Sequence, residues 1–396
     1  MFLHNMVVFI NKVNLKILII KYSGSSFYIT TQLLLKTNRT VSVKLPVLKA
    51  ASLISAILLT TTACAQPSAT DAIKKNTSQA PQTAQAAGSI TKAVDSQLRQ
   101  LLTKAGIKTE VTSIIVSKLP NMYQVNLAGQ PPLHITEDGK YVIQGELQKN
   151  PSKRIVTKIP TRSSSAQVGK PVSASVKSAI LANMDALKNM STKTPFFYTA
   201  VPGVIWGATL EGVPFLLSDD AQYITDGEIS VIENGQFIGL DQEFEKRKNQ
   251  SVFATLDENQ LINYPATGPE KAVIYVANDV NCPYCRRLHQ QLPMLNAKGV
   301  TVKTIGYPIY EQSPKQMRAI WCQGNEDSRR SAFDKAMLKG EMTAAPASCN
   351  VDYVTPNREK ATGLAVMATP AIYREDGVLY QASFESPEFL EFLGVE

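Results

Sequence analysis

Ala272-Val273-Ile274-Tyr275-Val276-Ala277-Asn278-Asp279-Val280-Asn281-Cys282-Pro283-Tyr284-Cys285-Arg286-Arg287-Leu288-His289-Gln290-Gln291-Leu292 is the stretch that decides the reading of this chain. Its first six residues form an apolar run that reads as a buried strand, and the residues after Cys285 read as a helix. Two cysteines at this spacing, at a strand-to-helix junction, can close a small disulfide ring and reopen it. The first thiol stands where free backbone N–H groups and the helix dipole favour a thiolate. The thiolate is the species that attacks disulfides. The pair therefore points to thiol–disulfide exchange.

Working outward, the elements alternate from Lys271 on. The strand 272–277 leads to a helix over 284–297 and a second strand over Thr301–Ile305. Helices follow over 313–323, 328–339 and 357–366. Ala371-Ile372-Tyr373 and Val378-Leu379-Tyr380 pair as a hairpin through Asp376-Gly377, and a last helix covers 386–393. A parallel strand pair around a helix, then an antiparallel hairpin and a final helix, is the thioredoxin order. Thr369-Pro370 precedes the hairpin. In that fold the proline is cis and its loop faces the cysteine pair, although proline is also tolerated as an ordinary first residue of a strand.

Upstream, Asp241 to Leu256 is charged, with Phe244, Val252, Phe253 and Leu256 as its apolar face. It reads as a connecting helix, and its sparse apolar residues predict an exposed arm.

Before this helix the chain repeats itself. Val94, Leu98 and Leu102 form a helical stripe, followed by Ile114-Ile115-Val116, Leu119-Pro120, Gly129-x-Pro131, the Asp138-Gly139 turn and Gly145-Glu146. The same order recurs 82 residues later as Val176, Ile180 and Met184, then Phe196-Phe197-Tyr198, Val201-Pro202, Gly212-x-Pro214, Asp219-Asp220 and Gly227-Glu228. This predicts two copies of one α+β module, each a helix and a curved antiparallel sheet. The run over 148–174 joins them. It holds Lys149, Lys153, Arg154, Lys158, Arg162 and Lys170 with no acidic residue, and reads as a solvated linker.

The N-terminus speaks for export. Leu45–Leu59 is apolar, is flanked by Lys44 and Lys49, and ends in Thr60-Thr61-Thr62-Ala63-Cys64-Ala65, a short h-region with an Ala-x-Ala site. A lipoprotein reading makes Cys64 the acylated residue, but Thr61 stands where an aliphatic residue is usual, which favours plain cleavage near Ala65. Residues 1–42 show no domain pattern, and translation is expected to begin near Val43. Residues 66–88, rich in Ala, Gln, Ser and Thr, read as a tether.

The whole chain has 41 Lys and Arg against 33 Asp and Glu, a net charge of +8. Residues 1–65 carry seven of the basic residues and no acidic one, which leaves 34 basic against 33 acidic in the remainder. The charge belongs to the leader, and the folded part offers no case for nucleic-acid binding. Four cysteines follow the leader: Cys282, Cys285, Cys322 and Cys349. An even number in an exported chain points to disulfides. A zinc site wants two close pairs, and only one pair is close, so no metal is expected.

These residues resemble the bacterial periplasmic disulfide isomerases of the DsbC/DsbG type, over about 89–396 with the second module as an extra. The likeness rests on the 127–145 hairpin region, Asn281-Cys282-Pro283-Tyr284-Cys285, Ile320-Trp321-Cys322, Ala345-Pro346-Ala347-Ser348-Cys349 and Thr369-Pro370-Ala371-Ile372-Tyr373. The Trp-Cys and Ala-Ser-Cys pieces look like DsbC, and proline inside the cysteine pair looks more like DsbG. The resemblance implies cystatin-like α+β N-terminal modules followed by an α/β thioredoxin-fold catalytic domain with a helical insertion. The expected layout is an upstream extension and signal peptide over 1–65, a tether over 66–88, the first module over 89–147 and a linker over 148–174. The second module follows over 175–238, then a linker helix within 239–265 and the catalytic domain over 266–396.

The resemblance also implies roles. Cys282 is the nucleophile, more exposed and more acidic, and Cys285 is the buried resolving thiol. Pro283 and Tyr284 shape the ring, and Thr369 and Pro370 dock the client backbone. From the residues themselves, Arg286 and Arg287 read as solvated helix charges rather than partners of the thiolate, and His289 reads as a packing or surface histidine rather than a proton partner. Cys322 and Cys349 form the family's structural disulfide, closing a loop of 26 intervening residues for about 3 kcal/mol in the chain-entropy model. No cofactor is called for. The implied activity is isomerisation of wrong disulfides in exported proteins, with an inner-membrane reductant of the DsbD type as electron donor. Two other readings stand beside it, a DsbG-like reductase of sulfenylated cysteines and a holdase chaperone with secondary redox activity. The family carries one dimerisation module per chain, pairing strand to strand across a two-fold axis. Two modules leave two arrangements: a homodimer, which is the expectation, or pairing of the copies within one chain.

Overall fold

The computed structural model describes residues 90–152 and 165–395, residues 185 and 188 apart, together with the backbone of three strands between 17 and 46. Cys64, the 66–88 tether, the middle of the 148–174 stretch, and the export segment beyond Pro46 lie outside the described residues. The three strands, β1 (Ile17–Ser23), β2 (Ser26–Leu34) and β3 (Thr40–Pro46), form an antiparallel meander that is a unit by itself. Residues 1–42, read above as patternless, thus include strands.

The second unit begins with α1 (Lys92–Lys104), capped by Thr91 Oγ1, which accepts from the Val94 amide at 3.3 Å. Four strands follow: β4 (Val111–Val116), β5 (Met122–Leu127), β6 (Gln130–Thr136) and β7 (Tyr141–Gln144). Leu98 and Leu102 of the helix pack with Ile114, Val125, Leu133 and Ile135 of the sheet. After the short β8 (Gln148–Lys149), α2 (Ala174–Ala182) is capped by Ser173 Oγ at the same 3.3 Å. Then come β9 (Phe196–Tyr198), β10 (Val204–Ala208), β11 (Pro214–Ser218) and β12 (Tyr223–Thr225).

Local bonds recur at the spacing of 82 residues seen in the sequence. Thr136 Oγ1 donates to Asp138 Oδ1 at 2.6 Å and accepts from the Tyr141 amide at 3.0 Å. Ser218 Oγ donates to Asp220 Oδ1 at 2.6 Å and accepts from the Tyr223 amide at 3.0 Å. Short hydroxyl side chains compete with the backbone for turn geometry, which is why the same turn reforms.

The sheets exchange strands. β13 (Ile229–Glu233) and β14 (Gln236–Leu240) leave the second module and extend the first sheet, in the order β14-β13-β7-β6-β5-β4. β8 leaves the first module and edges the second, in the order β8-β12-β11-β10-β9. The 148–174 run is therefore not a solvated linker throughout. Asn150 is buried and donates to the carbonyls of Asn183 and Ala221, and Val172 is buried at the other end. Strands expected to join two chains are paired with strands of the same chain.

α3 (Gln242–Phe253) corrects a second expectation. It is not an exposed arm, because Phe244, Lys248, Asn249, Val252 and Phe253 are all buried. Two polar residues complete the face that the apolar ones leave sparse. Lys248 Nζ donates to the Gly363 carbonyl at 2.9 Å, lies 3.2 Å from Glu245 and sits 4.2 Å from the Trp206 ring centroid. Asn249 donates to the Gly377 carbonyl at 2.8 Å. A buried polar group is tolerated when its bonds are made, and here those bonds tie α3 to the C-terminal domain. Phe253 stacks on Tyr275 at 4.2 Å.

The C-terminal sheet runs β15-β17-β16-β18-β19, comprising β15 (Ile262–Tyr264), β16 (Ala272–Asn278), β17 (Val300–Gly306), β18 (Ala371–Arg374) and β19 (Leu379–Tyr380). β16 and β17 are parallel, and β18 is antiparallel to β16. The helix expected over 284–297 is two helices, α4 (Pro283–Gln290) and α5 (Leu292–Ala297). Pro293 has no N–H to continue the ladder, so the helix restarts around it. α6 (Ser313–Trp321), α7 (Glu326–Asp334), α8 (Thr355–Lys360) and α9 (Glu388–Leu393) complete the domain.

The two modules differ on the face away from their own helices. Phe197, Trp206 and Leu216 of the second are buried in the core shared with α3 and the C-terminal domain. Their equivalents in the first are Ile115, which is exposed, Gln124 and His134. Trp206→Ala is expected to cost about 3–5 kcal/mol, and Gln124→Ala about 0.5 kcal/mol or less. Urea unfolding of the two variants checks the contrast.

Candidate active site

Cys282 caps α4. The strand β16 ends at Asn278, a tight turn through Asp279 to Asn281 follows, and Pro283 starts the helix as its first residue, where the missing N–H is no loss. Cys282 Sγ accepts from the Cys285 amide at 3.3 Å, and its thiol donates to the Thr369 carbonyl at 3.1 Å. The Thr369–Pro370 peptide is cis.

Both sulfurs are free thiols, and both cysteines are buried. Cys282 is the more exposed of the two, but only at 2 % against 0 % beneath the Thr369–Pro370 loop, so exposure does little to separate them. What separates the pair is electrostatics. A bond from the Cys285 side chain, reinforced against burial by Thr369 and the amides of Cys285 and Tyr284, holds the Cys282 thiol at about 6. Burial first, then the neighbouring Cys282, pushes the Cys285 thiol far above its ordinary value. The result is one thiolate and one thiol at neutral pH.

The basic residues after the pair do other work. Arg286 donates to the Val280 carbonyl. Arg287 bridges to Glu385 at 3.1 Å and covers the Tyr284 ring at 4.4 Å. His289 is buried edge-on between Tyr264 and Phe333, with Nε2 2.9 Å from Asp334 Oδ1. It is a packing residue with one polar tie. Cys322 and Cys349 are bonded to each other, with Cα atoms 5.6 Å apart. Among the described residues no group of His, Cys, Asp or Glu is placed to hold a metal, and no helix is long and apolar enough to cross a membrane.

Asp279 escaped the sequence reading. Its buried carboxylate accepts from the Asn281 amide at 2.7 Å, Ser313 Oγ at 2.6 Å, and the amides of Ile309 and Tyr310 at 2.6 and 3.3 Å. Its carbonyl accepts from the Cys282 amide at 3.1 Å. One side chain thus ties the active-site turn to the 309–313 loop. An acidic residue at the end of an otherwise apolar strand, three positions before the first cysteine, was the available signal.

Around the dithiol the surface is apolar. Tyr284 is 57 % and Met367 71 % exposed, and Ile309 and Tyr310 are exposed as well. A groove of about 540 Å³ runs from Met367, Ala368 and Pro370 toward Trp206 and Phe244.

A parallel strand pair, a Cys-x-x-Cys helix cap and a facing cis-proline define a thiol–disulfide oxidoreductase of the thioredoxin fold. Residues 258–393 match the thioredoxin-like domain family, and residues 63–157 match the disulfide bond isomerase protein N-terminal domain. The thiol:disulfide interchange protein DsbC of Escherichia coli K12 is 31 % identical over 197 residues, covering 48 % of this chain and 78 % of that protein. DsbC of Dickeya dadantii is 38 % identical over 125 residues, 31 % of this chain and 50 % of that one. A disulfide interchange protein from Neisseria gonorrhoeae has a solved structure similar at a TM-score of 0.31 and 21 % identity, covering 35 % of this chain and 96 % of its own. The chain belongs to the DsbC family of thiol:disulfide interchange proteins. Neither family match reaches residues 158–257, where the second module and α3 lie.

Three outcomes are expected. Alkylation of the reduced protein should modify Cys282 before Cys285, with a rate that rises around pH 6. The depressed Cys282 value also stabilises the folded reduced form. That stabilisation is complete above the ordinary thiol value of 9.0 and is lost as the pH falls through about 6. Urea midpoints of reduced and oxidised protein, compared across pH, check the sign. Asp279→Ala should cost about 3 kcal/mol or more, since it leaves several buried donors unpaired, and urea unfolding measures that too.

Proposed function

We propose that this chain is a periplasmic disulfide isomerase that acts on exported proteins. The observation that carries the reading is the split between the two thiols. Cys282 thiolate attacks a client disulfide, and that S–S bond breaks as the mixed disulfide forms and a client thiolate leaves. A second client thiolate then attacks the client sulfur of the mixed disulfide and expels Cys282 as thiolate. The client has a new pairing, and no net oxidation has occurred. A thiol held near 6 leaves readily, so the mixed disulfide turns over. Cys285, kept protonated by burial, intervenes only when the client stalls. It then displaces the client as a thiol and leaves a Cys282–Cys285 disulfide, whose two electrons must be restored by a dithiol reductant such as the DsbD type.

Pro283 and Tyr284 set the ring, and Thr369 and Pro370 present backbone groups to an extended client. The apolar rim of Tyr284, Ile309, Tyr310 and Met367 suits unfolded chain. Cys322–Cys349 stays closed through turnover. The export signal supports a periplasmic site, with cleavage near Ala65 favoured over acylation of Cys64.

Refolding of a scrambled multi-disulfide protein tests the reading. Cys282→Ala should abolish reshuffling, and Cys285→Ala should retain part of it while mixed disulfides accumulate. In cells the pair should be mostly reduced. A mostly oxidised pair, or reshuffling that survives Cys282→Ala, sinks the proposal.

A further inference from the structure

The strand exchange between the modules obeys a symmetry. β7 pairs with β13 antiparallel, with Tyr141 opposite Val231 and Val142 opposite Ser230. β12 pairs with β8 antiparallel, with Tyr223 opposite Lys149 and Ile224 opposite Gln148. Moving each residue to its equivalent in the other module, by the repeat spacing of 82, turns the first set of pairs into the second. The flanking backbone bonds follow the same rule. The Ile232 amide donates to the Lys140 carbonyl at 2.8 Å, and the Asn150 amide donates to the Gln222 carbonyl at 2.8 Å. Gly145 and its equivalent Gly227 meet at the crossing point. A Cβ on Gly145 would lie 2.6 Å from Thr225 Oγ1, and one on Gly227 would lie 2.2 Å from the Gln144 carbonyl oxygen.

An interface in which residue i meets j, and the copy of j meets the copy of i, is the isologous contact of a two-fold dimer. Here both halves belong to one chain. We infer that the second module stands where a partner subunit's module would stand, so that the first module's dimerisation edge is satisfied internally and the protein is a monomer carrying a single Cys282–Cys285 pair.

The faces of the two modules support the count. The second module buries Phe197, Trp206 and Leu216 against the catalytic domain and α3. At the equivalent place on the first module, Gln124 donates to Asn126, which donates to Ser113, and His134 is tied to Ser117 and the Gly145 carbonyl. A polar ladder in place of an aromatic cluster offers no seat for a second catalytic domain. The pair of modules is built to carry one.

Light scattering and one engineered disulfide test this together. Lys149 and Tyr223 face each other, one exposed and one half-buried. They flank the backbone-bonded Asn150–Gln222 position, so they form a non-hydrogen-bonded pair, whose Cα atoms approach to about 4.5 Å. That distance suits a disulfide. Lys149→Cys with Tyr223→Cys, in a Cys282→Ser, Cys285→Ser background that prevents exchange, should close on oxidation within one chain. Non-reducing electrophoresis should show a single-chain band, and peptide mapping should join positions 149 and 223. The full chain without the added cysteines should scatter as one chain from about 1 to 100 μM. A two-chain mass, a 149–223 bond between chains, or failure of the bond to form would each overturn the inference. Because none of these readouts uses catalysis, they stand apart from the test of isomerase activity.

Discussion

The helix N-cap at Cys282 is the contact on which the chemistry depends. A helix must begin with amides that have no partner within it, and ordinary caps answer them with a hydroxyl or carboxylate. Here the answering atom is the sulfur of Cys282, the proposed nucleophile, with the Cys285 amide at 3.3 Å. The same geometry that starts α4 therefore stabilises the negative sulfur. Everything nearby preserves that arrangement. Asp279 fixes the approach to the cap, and Pro283 fixes its first turn.

The candidate site was legible because it is local. The Cys-Pro-Tyr-Cys cap, the Thr369–Pro370 turn and the Asp376-Gly377 hairpin each announce themselves within a few residues. The Cys322–Cys349 bond could be read only through likeness to a family, since spacing alone leaves the pairing open. Asp279 was missed because its partners Ile309, Tyr310 and Ser313 are about thirty positions away, and nothing in the strand pattern reports them. The burial of α3 was missed for a related reason. A lysine counts as polar in any periodicity, yet the ammonium of Lys248 finds a carbonyl, a carboxylate and an indole face inside the protein.

The duplication was visible as an ordered series of matches, but its pairing was not. Which strand edge meets which is a long-range matter, and alternation along a strand says only which side faces a core. Sequence divergence between the copies carries the missing information in retrospect. Trp206 against Gln124 and Phe197 against Ile115 mark which module is covered by the catalytic domain and which faces water.

Joining both halves of a two-fold contact in one polypeptide also changes how that contact can evolve. When two identical chains meet, one codon specifies both sides, and every substitution near the axis strikes twice. In this chain Gly145 and Gly227 are separate codons, as are Leu216 and His134. Each side can drift alone and be compensated by the other, so a two-fold constraint becomes an ordinary packing problem. The seam is free to become asymmetric, and the opposite faces of the modules already are.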